Sequence, residues 1–391
     1  MKINGPIGWY DHTLASVPIL GLEWPRPCIP ASNHPFFLGL CQVFHVKKEE
    51  QVYNATFQSK EPGKKGMVIL RLLRQQWFLL GLLGIAGLTL LDATGVIAGG
   101  GRWLKAHYGP NGVIALIFFL SGLILRSEEI RSGLGDVKGT VAAMSVIVLL
   151  APFAGWAASL LPLTPGLRIG LFLVAVMPTT LTTGMVMTGA AGGNMAHALL
   201  ITILSNALGV LTVPVSLSLL MGLGKEMEMV PIDRSALMMQ IALLVMVPLV
   251  LGMAVRKKGD AFGPALRRAV PVINQCLVLA ILWMALSEAR STVVGGGAQS
   301  AISVLLLSFV YHALLVAAAF GLSRILDLGA GRRESVVFMG GQKTLPLSIL
   351  IQTTLFPQHG LALAFCIVHH FVHLIMDGYL VSWFKRRGHL Q

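Results

Sequence analysis

The chain has 391 residues, 55% of them hydrophobic and only 12% charged, with a mean hydropathy of +0.74. A soluble domain carries roughly 25% charged residues, so the composition excludes an ordinary soluble enzyme and describes a polytopic membrane protein whose surroundings are a lipid bilayer. The formal net charge of +13 would suit a nucleic-acid binder. Its basic residues, however, lie between apolar stretches rather than in a patch interleaved with aromatics, so no nucleic-acid partner is expected.

Residues 1–66 are mixed, proline-containing and partly polar, and their longest apolar run, Pro35 to Val46, is too short to span a bilayer. No basic segment leads into a hydrophobic one with a small-residue cleavage site, so no signal peptide is read. This segment is expected to be poorly ordered, or to precede the true start, for which Met67 is a credible alternative. The four cysteines (Cys28, Cys41, Cys276 and Cys366) form no CxxC pair and no metal-binding spacing.

Residues 67–391 read as one ten-span membrane domain. Windows of roughly 20 apolar residues occur at 77–97, 111–126, 139–162, 167–191, 195–222, 235–255, 270–287, 298–323, 335–356 and 360–384. With both termini inside, nineteen flanking lysines and arginines fall on the inner side. Only six, Arg102, Lys105, Arg168, Lys225, Arg234 and Arg290, fall on the outer side. That asymmetry orients the chain with both termini cytoplasmic in a plasma or inner membrane. Ten spans divide into five and five, which inverts the second half relative to the first, and the expected fold is an all-α inverted repeat.

The fourth and ninth spans are the interrupted ones. The fourth carries Pro178 after a clean apolar half-helix, then the hydroxyls Thr179, Thr180, Thr182 and Thr183. The ninth carries Gly340-Gly341-Gln342-Lys343-Thr344-Leu345-Pro346, in which glycines loosen the backbone and proline removes a donor. Broken helices at matching places in two halves point to a transporter's midplane site, because half-helix ends offer free N–H groups to anions and free carbonyls to cations. Lys343 is the only lysine or arginine in the middle of a span, Arg126 and Arg168 lying at the ends of theirs. A charge at membrane depth costs about 2.5–3.5 kcal/mol on insertion scales, so it is expected to face a partner or a wet cavity. Asn194 is well typed to cap the fifth span, and Ser205 and Asn206 sit deeper in that span, on its cavity face. In the tenth span, His369, His373 and Asp377 recur at every fourth residue and share a helix face, which suits a proton relay or a polar packing face. Three ligands down one straight helix do not converge on a single metal.

The stretches RQQWFLLGLLG at 74–84, FFLSGLILRSEEI at 118–130, MPTTLTTGMVMTGAAGGN at 177–194, FMGGQKTLPLSI at 338–349 and VHHFVHLIMDGYLVSWFKRR at 368–387 resemble the bile acid:sodium symporter family, in the sodium/bile acid cotransporter 7-like branch. The resemblance implies core and panel bundles, with the broken fourth and ninth helices crossing in the core, and transport of small organic anions. It also exposes departures. A Ser-Asn pair that helps bind sodium in relatives corresponds to Thr183 and Gly184. One fifth-helix hydroxyl is kept as Thr202, but Ala198 replaces another. The glutamate shared by both family sodium sites corresponds to Phe338, and a third-helix glutamine to Ile147, while Gln342 matches a retained glutamine. The anionic sodium ligand is therefore missing, and Lys343 stands beside the retained amide.

From these residues the expected function is secondary transport of a small, anionic organic solute without the usual sodium sites. The Lys343 ammonium would replace a coupling ion and satisfy carbonyls and hydroxyls such as Thr183 and Thr202. Proton exchange at Lys343, and a purely structural lysine, remain open. The candidate solute- and ion-binding residues are Thr179, Thr180, Thr182, Thr183, Asn194, Thr202, Gln342, Lys343 and Thr344. The other function class is a membrane regulator of calcium homeostasis that moves no solute itself, since the branch is linked by resemblance to calcium homeostasis. An enzyme built on the His369/His373/Asp377 face is a distant third. No Walker A, HExxH or GxSxG motif is present, so no cofactor is expected.

Overall fold

The computed structural model describes residues 64–107, 109–125, 135–223, 232–258 and 264–388. The expectations for residues 1–63 lie outside them. The described chain is helical, with no strand among the described residues. In chain order the helices are α1 (Lys64–Leu90), α2 (Val96–Ala106), α3 (Gly109–Ile124), α4 (Val137–Ser159), α5 (Pro165–Val176), α6 (Thr183–Ala190) and α7 (Met195–Leu223). They continue as α8 (Arg234–Arg256), α9 (Pro264–Gly295), α10 (Gly297–Ile325), α11 (Arg332–Gly341), α12 (Leu345–Leu355) and α13 (Gly360–Gly388). Among the described residues six helices are long and apolar enough to cross a membrane, or seven if the α2–α3 pair, bent by 72°, counts as one span.

The helix starts and stops follow local chemistry. The first helix stops at Leu90, short of the expected 97, because Asp92 turns the chain: its carboxylate accepts from the amides of Thr94, Gly95 and Ala98, and Gly95 takes a left-handed φ of 72°. Helix α2 then runs over residues 96–106, most of which fall between the expected first and second spans. Asp136 and Asp233 cap α4 and α8 through their carboxylates. Helices α4 and α8 each contain a π-turn, Val146–Leu150 and Ala242–Met246, ending two residues before a proline, Pro152 and Pro248. A proline has no N–H to give to the preceding turn, and the helix widens there.

Packing sorts the helices into two groups. In one, α3 lies along α8, and α9 packs on α2 and α3. A Cβ on Gly122 would lie 2.2 Å from the Leu249 carbonyl, and one on Gly252 would lie 2.2 Å from that of Phe119. Only glycine allows α3 and α8 to approach so closely. In the other group α13 packs along α5 and α10, and α11 packs on α4, α6 and α10. Gly170 of α5 leaves the space that Phe365 and Ala362 of α13 fill. Helix α9 touches the second group through α12 and α13. Large apolar side chains such as Leu149, Phe153, Leu219, Leu306 and Phe309 are exposed, as expected for a surface facing hydrocarbon rather than water.

Candidate functional site at the helix breaks

Both predicted interruptions are real breaks. Helix α5 ends at Val176, with Met177 extended at φ −68° and ψ 145°, and α6 resumes at Thr183. Helix α11 ends at Gly341, with Gln342 extended at φ −74° and ψ 145°, and α12 resumes at Leu345 with Pro346 in its first turn. The two breaks meet: the Thr344 amide donates to the Pro178 carbonyl at 3.0 Å.

Lys343 is 2% exposed. Its Nζ donates to the carbonyls of Met177 at 3.0 Å, Ala175 at 3.4 Å and Ile147 at 3.4 Å. Each acceptor is free for a local reason. Ala175 and Met177 lie at the C-terminal end of α5, where carbonyls lack intrahelical partners and the helix dipole is negative. Ile147 lies in the π-turn of α4. The Ala151 amide there bonds Val146, and Pro152, next in line, has no N–H to offer Ile147. The Lys343 side-chain nitrogen thus sits in a ring of main-chain oxygens. The expected hydroxyl partners Thr183 and Thr202 are instead bonded elsewhere.

Gln342 organises those hydroxyls. Its Oε1 accepts from Thr180 Oγ1 at 2.6 Å and Thr183 Oγ1 at 3.1 Å, and its Nε2 donates to Asp377 Oδ2 at 2.8 Å. Thr180 Oγ1 in turn accepts from the Gly184 amide. Thr202 donates to the Ala198 carbonyl at 2.9 Å and to that of Thr180 at 3.5 Å. Asn206, one turn further along α7, donates to the carbonyls of Thr202 and Thr179. The Thr179 hydroxyl is buried without a protein partner. Asp377 is 1% exposed, and its second oxygen pairs with His312 Nε2 at 3.0 Å.

Asn194 is not brought to the crossing. Its Oδ1 accepts from the His197 amide at 3.1 Å, and its own amide donates to Gly331. It caps α7 about two turns before Thr202. Near that end Asp136 binds Arg332 through two hydrogen bonds and the Gly139 amide through a third. Burial pushes the Asp136 carboxyl up, but Arg332, Gly139 and His197 outweigh it and hold the group below the usual carboxylate range.

A cavity of about 50 Å³ lies at the crossing, walled by Thr180, Thr183 and Thr344 on one side and by Phe78, Ile117 and Asn274 on the other. A neighbour of about 20 Å³ reaches Thr202, Asn206 and Ser121, and Thr182 borders both. The amino ends of α6 and α12 open on the first cavity, which suits an anion. Sequence reasoning singled out neither Asn274 nor His370, although both line it. No local signal marks Asn274, which enters from a helix distant in sequence, whereas His370 adjoins His369 in the polar run of the tenth span.

A family model described as the SBF-like CPA transporter family matches residues 76–386. The probable sodium/metabolite cotransporter BASS4, chloroplastic, of Oryza sativa subsp. indica is 29% identical over 340 residues, covering 82% of this chain and 78% of that protein. The sodium/bile acid cotransporter 7 of Xenopus tropicalis is 26% identical over 330 residues, covering 82% and 94%. The putative symporter YfeH of Escherichia coli (strain K12) is 27% identical over 289 residues, covering 70% and 83%.

Proposed function

Because the chain belongs to the SBF-like CPA transporter family, we propose that it is a secondary transporter that moves a small organic anion across a bilayer by alternating access, with the Lys343 ammonium standing where a coupling sodium would otherwise sit. The observation that carries this reading is the carbonyl ring around Lys343 Nζ, formed by Met177, Ala175 and Ile147. Sodium seeks such oxygens; here a tethered cation already holds them. The same positive charge, with the amino ends of α6 and α12, favours an anion in the adjoining cavity.

In this reading the helices form ten spans in two inverted halves, with α5–α6 and α11–α12 as the fourth span of each. Helices α1, α3, α8 and α9 make the panel, and α4–α7 with α10–α13 make the core. The packing of α3 on α8 and of α13 on α5 and α10 supports that division. Rocking of the core against the panel would open the cavity to alternate sides. The excess of basic residues on one side supports cytoplasmic termini. Thr179, Thr180, Thr182, Thr183, Thr202, Gln342 and Thr344 form the polar wall around the solute, with Asn194 holding the start of α7.

The reading is tested in proteoliposomes offered radiolabelled taurocholate and pyruvate with sodium or choline outside. Equal uptake in the two salts, falling at least tenfold in Lys343→Ala, is the expected result. Uptake only with sodium, or unchanged in Lys343→Ala, overturns it. Absence of uptake in a broad anion panel favours a regulator that transports nothing itself.

A further inference from the structure

Helix α13 carries three fully or nearly buried histidines, His369, His370 and His373, and α10 adds His312. Six of their ring nitrogens (His312 Nδ1, His369 Nε2, both of His370 and both of His373) are buried with no hydrogen bond of ordinary geometry in the protein, and the Lys343 backbone is a polar neighbour of His370. Buried polar atoms are ordinarily bonded, and leaving one unmade costs about 1–3 kcal/mol. Apolar residues of similar size would fill the same space without that cost. The rings are also close in a continuous series. The centroid of His370 lies 4.5 Å from that of His373, and His373 lies 5.7 Å from His312 and 5.6 Å from His369. One end of the series, His370, lines the cavity at the crossing. The other end, His312 Nε2, pairs with Asp377, whose second oxygen accepts from Gln342 beside that cavity.

We propose that His370, His373, His312 and Asp377 form a proton relay that opens on the crossing cavity, so that the anionic solute travels with a proton held on the His312–Asp377 pair. His370 takes a proton from water in the open cavity on one ring nitrogen. Ring rotation presents it to His373, which passes it to His312 against the Asp377 carboxylate, and release to the opposite side reverses the steps. Only N–H and O–H bonds form and break, and the proton begins and ends in water. The stored imidazolium and the Asp377 carboxylate compensate each other, so loading adds one charge that offsets the solute's. Histidine is the side chain suited to this shuttling near neutral pH.

The groups facing the relay are few. From α10 they are Tyr311, whose ring lies 5.7 Å from that of His369, and His312. From the α11–α12 break there is Lys343, within electrostatic range of His369. Cys366 precedes the histidines on α13 itself. The only titratable residue of α5 is Arg168, near its first turn. Helices α6 and α12, and α1 from Trp77 onward, carry none. Helix α9 presents Asn274 and Gln275 to the cavity, with Glu288 and Arg290 about four turns away.

The relay deepens the transporter reading in naming the cargo's companion, but its test needs no solute. Full-length protein labelled with 15N-histidine is reconstituted in liposomes, and exchange of ring protons with water is measured by NMR for each histidine, assigned by single substitution. Wild-type His312 and His373 are expected to exchange rapidly despite their burial. His370→Phe slows both at least tenfold. His373→Gln, which keeps a polar side chain in place, slows His312 at least tenfold and leaves His370 unchanged. Slow exchange in the wild type, or exchange at His312 indifferent to His370→Phe and His373→Gln, overturns the relay whether or not uptake of any anion has been found.

Discussion

Replacing Lys343 by methionine separates the charge from the volume it fills. The ammonium makes one contact of 3.0 Å and two of 3.4 Å with main-chain oxygens. Hydrogen bonds to charged groups contribute about 1.5–3 kcal/mol each at good geometry. With two of the three long, the set supplies on the order of 5 kcal/mol. Removing an ammonium from water costs several kcal/mol even after relaxation, so the two terms nearly cancel. Lys343→Met, similar in length and apolar, is therefore expected to change stability by less than about 2 kcal/mol, because swaps that conserve volume seldom cost more. Lys343→Ala leaves a void as well as bare carbonyls and should cost about 2–5 kcal/mol. Unfolding by SDS titration of reconstituted protein measures both, beside anion uptake on the same samples. The expected pattern is a methionine variant that is folded, near wild type in stability and at least tenfold slower in uptake. A methionine variant that is destabilised by several kcal/mol yet still transports would show that the lysine serves the fold alone.

Two further substitutions probe the surroundings. Gln342→Glu replaces the amide donor with a second carboxyl group 2.8 Å from Asp377; ionised carboxylates at that distance repel each other, so uptake should fall at least tenfold at pH 7.5 and recover partly at pH 5, where a proton shared between them restores the lost hydrogen bond, read as a pH–rate profile. Asp136 has a folded-state pKa held below its ordinary value, so its contribution to stability is present above the ordinary carboxylate range and lost as pH falls through the lowered value. SDS unfolding should show wild-type stability dropping below about pH 4, and Asp136→Asn should flatten that drop; an unchanged pH profile in the variant would refute the assignment.

Much of this architecture is legible in the chain itself, because it rests on local rules. Pro178 and the Gly340–Gly341 pair mark where helices must stop, Asn194 caps as its type suggests, and a lone lysine amid apolar residues demands oxygen partners. What could not be read is which oxygens. The Ile147 carbonyl is free only because a π-turn shifts the hydrogen bonding just before Pro152, a consequence of helix geometry that residue types barely signal. The His312–Asp377 pair joins positions 65 residues apart, and Asn274 enters the cavity from another group of helices. The sequence of α2 does not announce a helix, because its glycines and basic residues hide the turn that Asp92 initiates. Pairings of this kind are decided by tertiary packing, which a single sequence does not record.

The bond from the Thr344 amide to the Pro178 carbonyl belongs wholly to the main chain. No side-chain exchange at other positions deletes either atom, and a proline at position 344 would remove the amide only by rebuilding the whole break. A mutational scan would therefore pass over the link that joins the two interrupted helices, while scoring heavily the lysine and glutamine beside it. Its contribution becomes visible only when the amide is exchanged for an ester, one atom at a time, by chemical synthesis of the backbone.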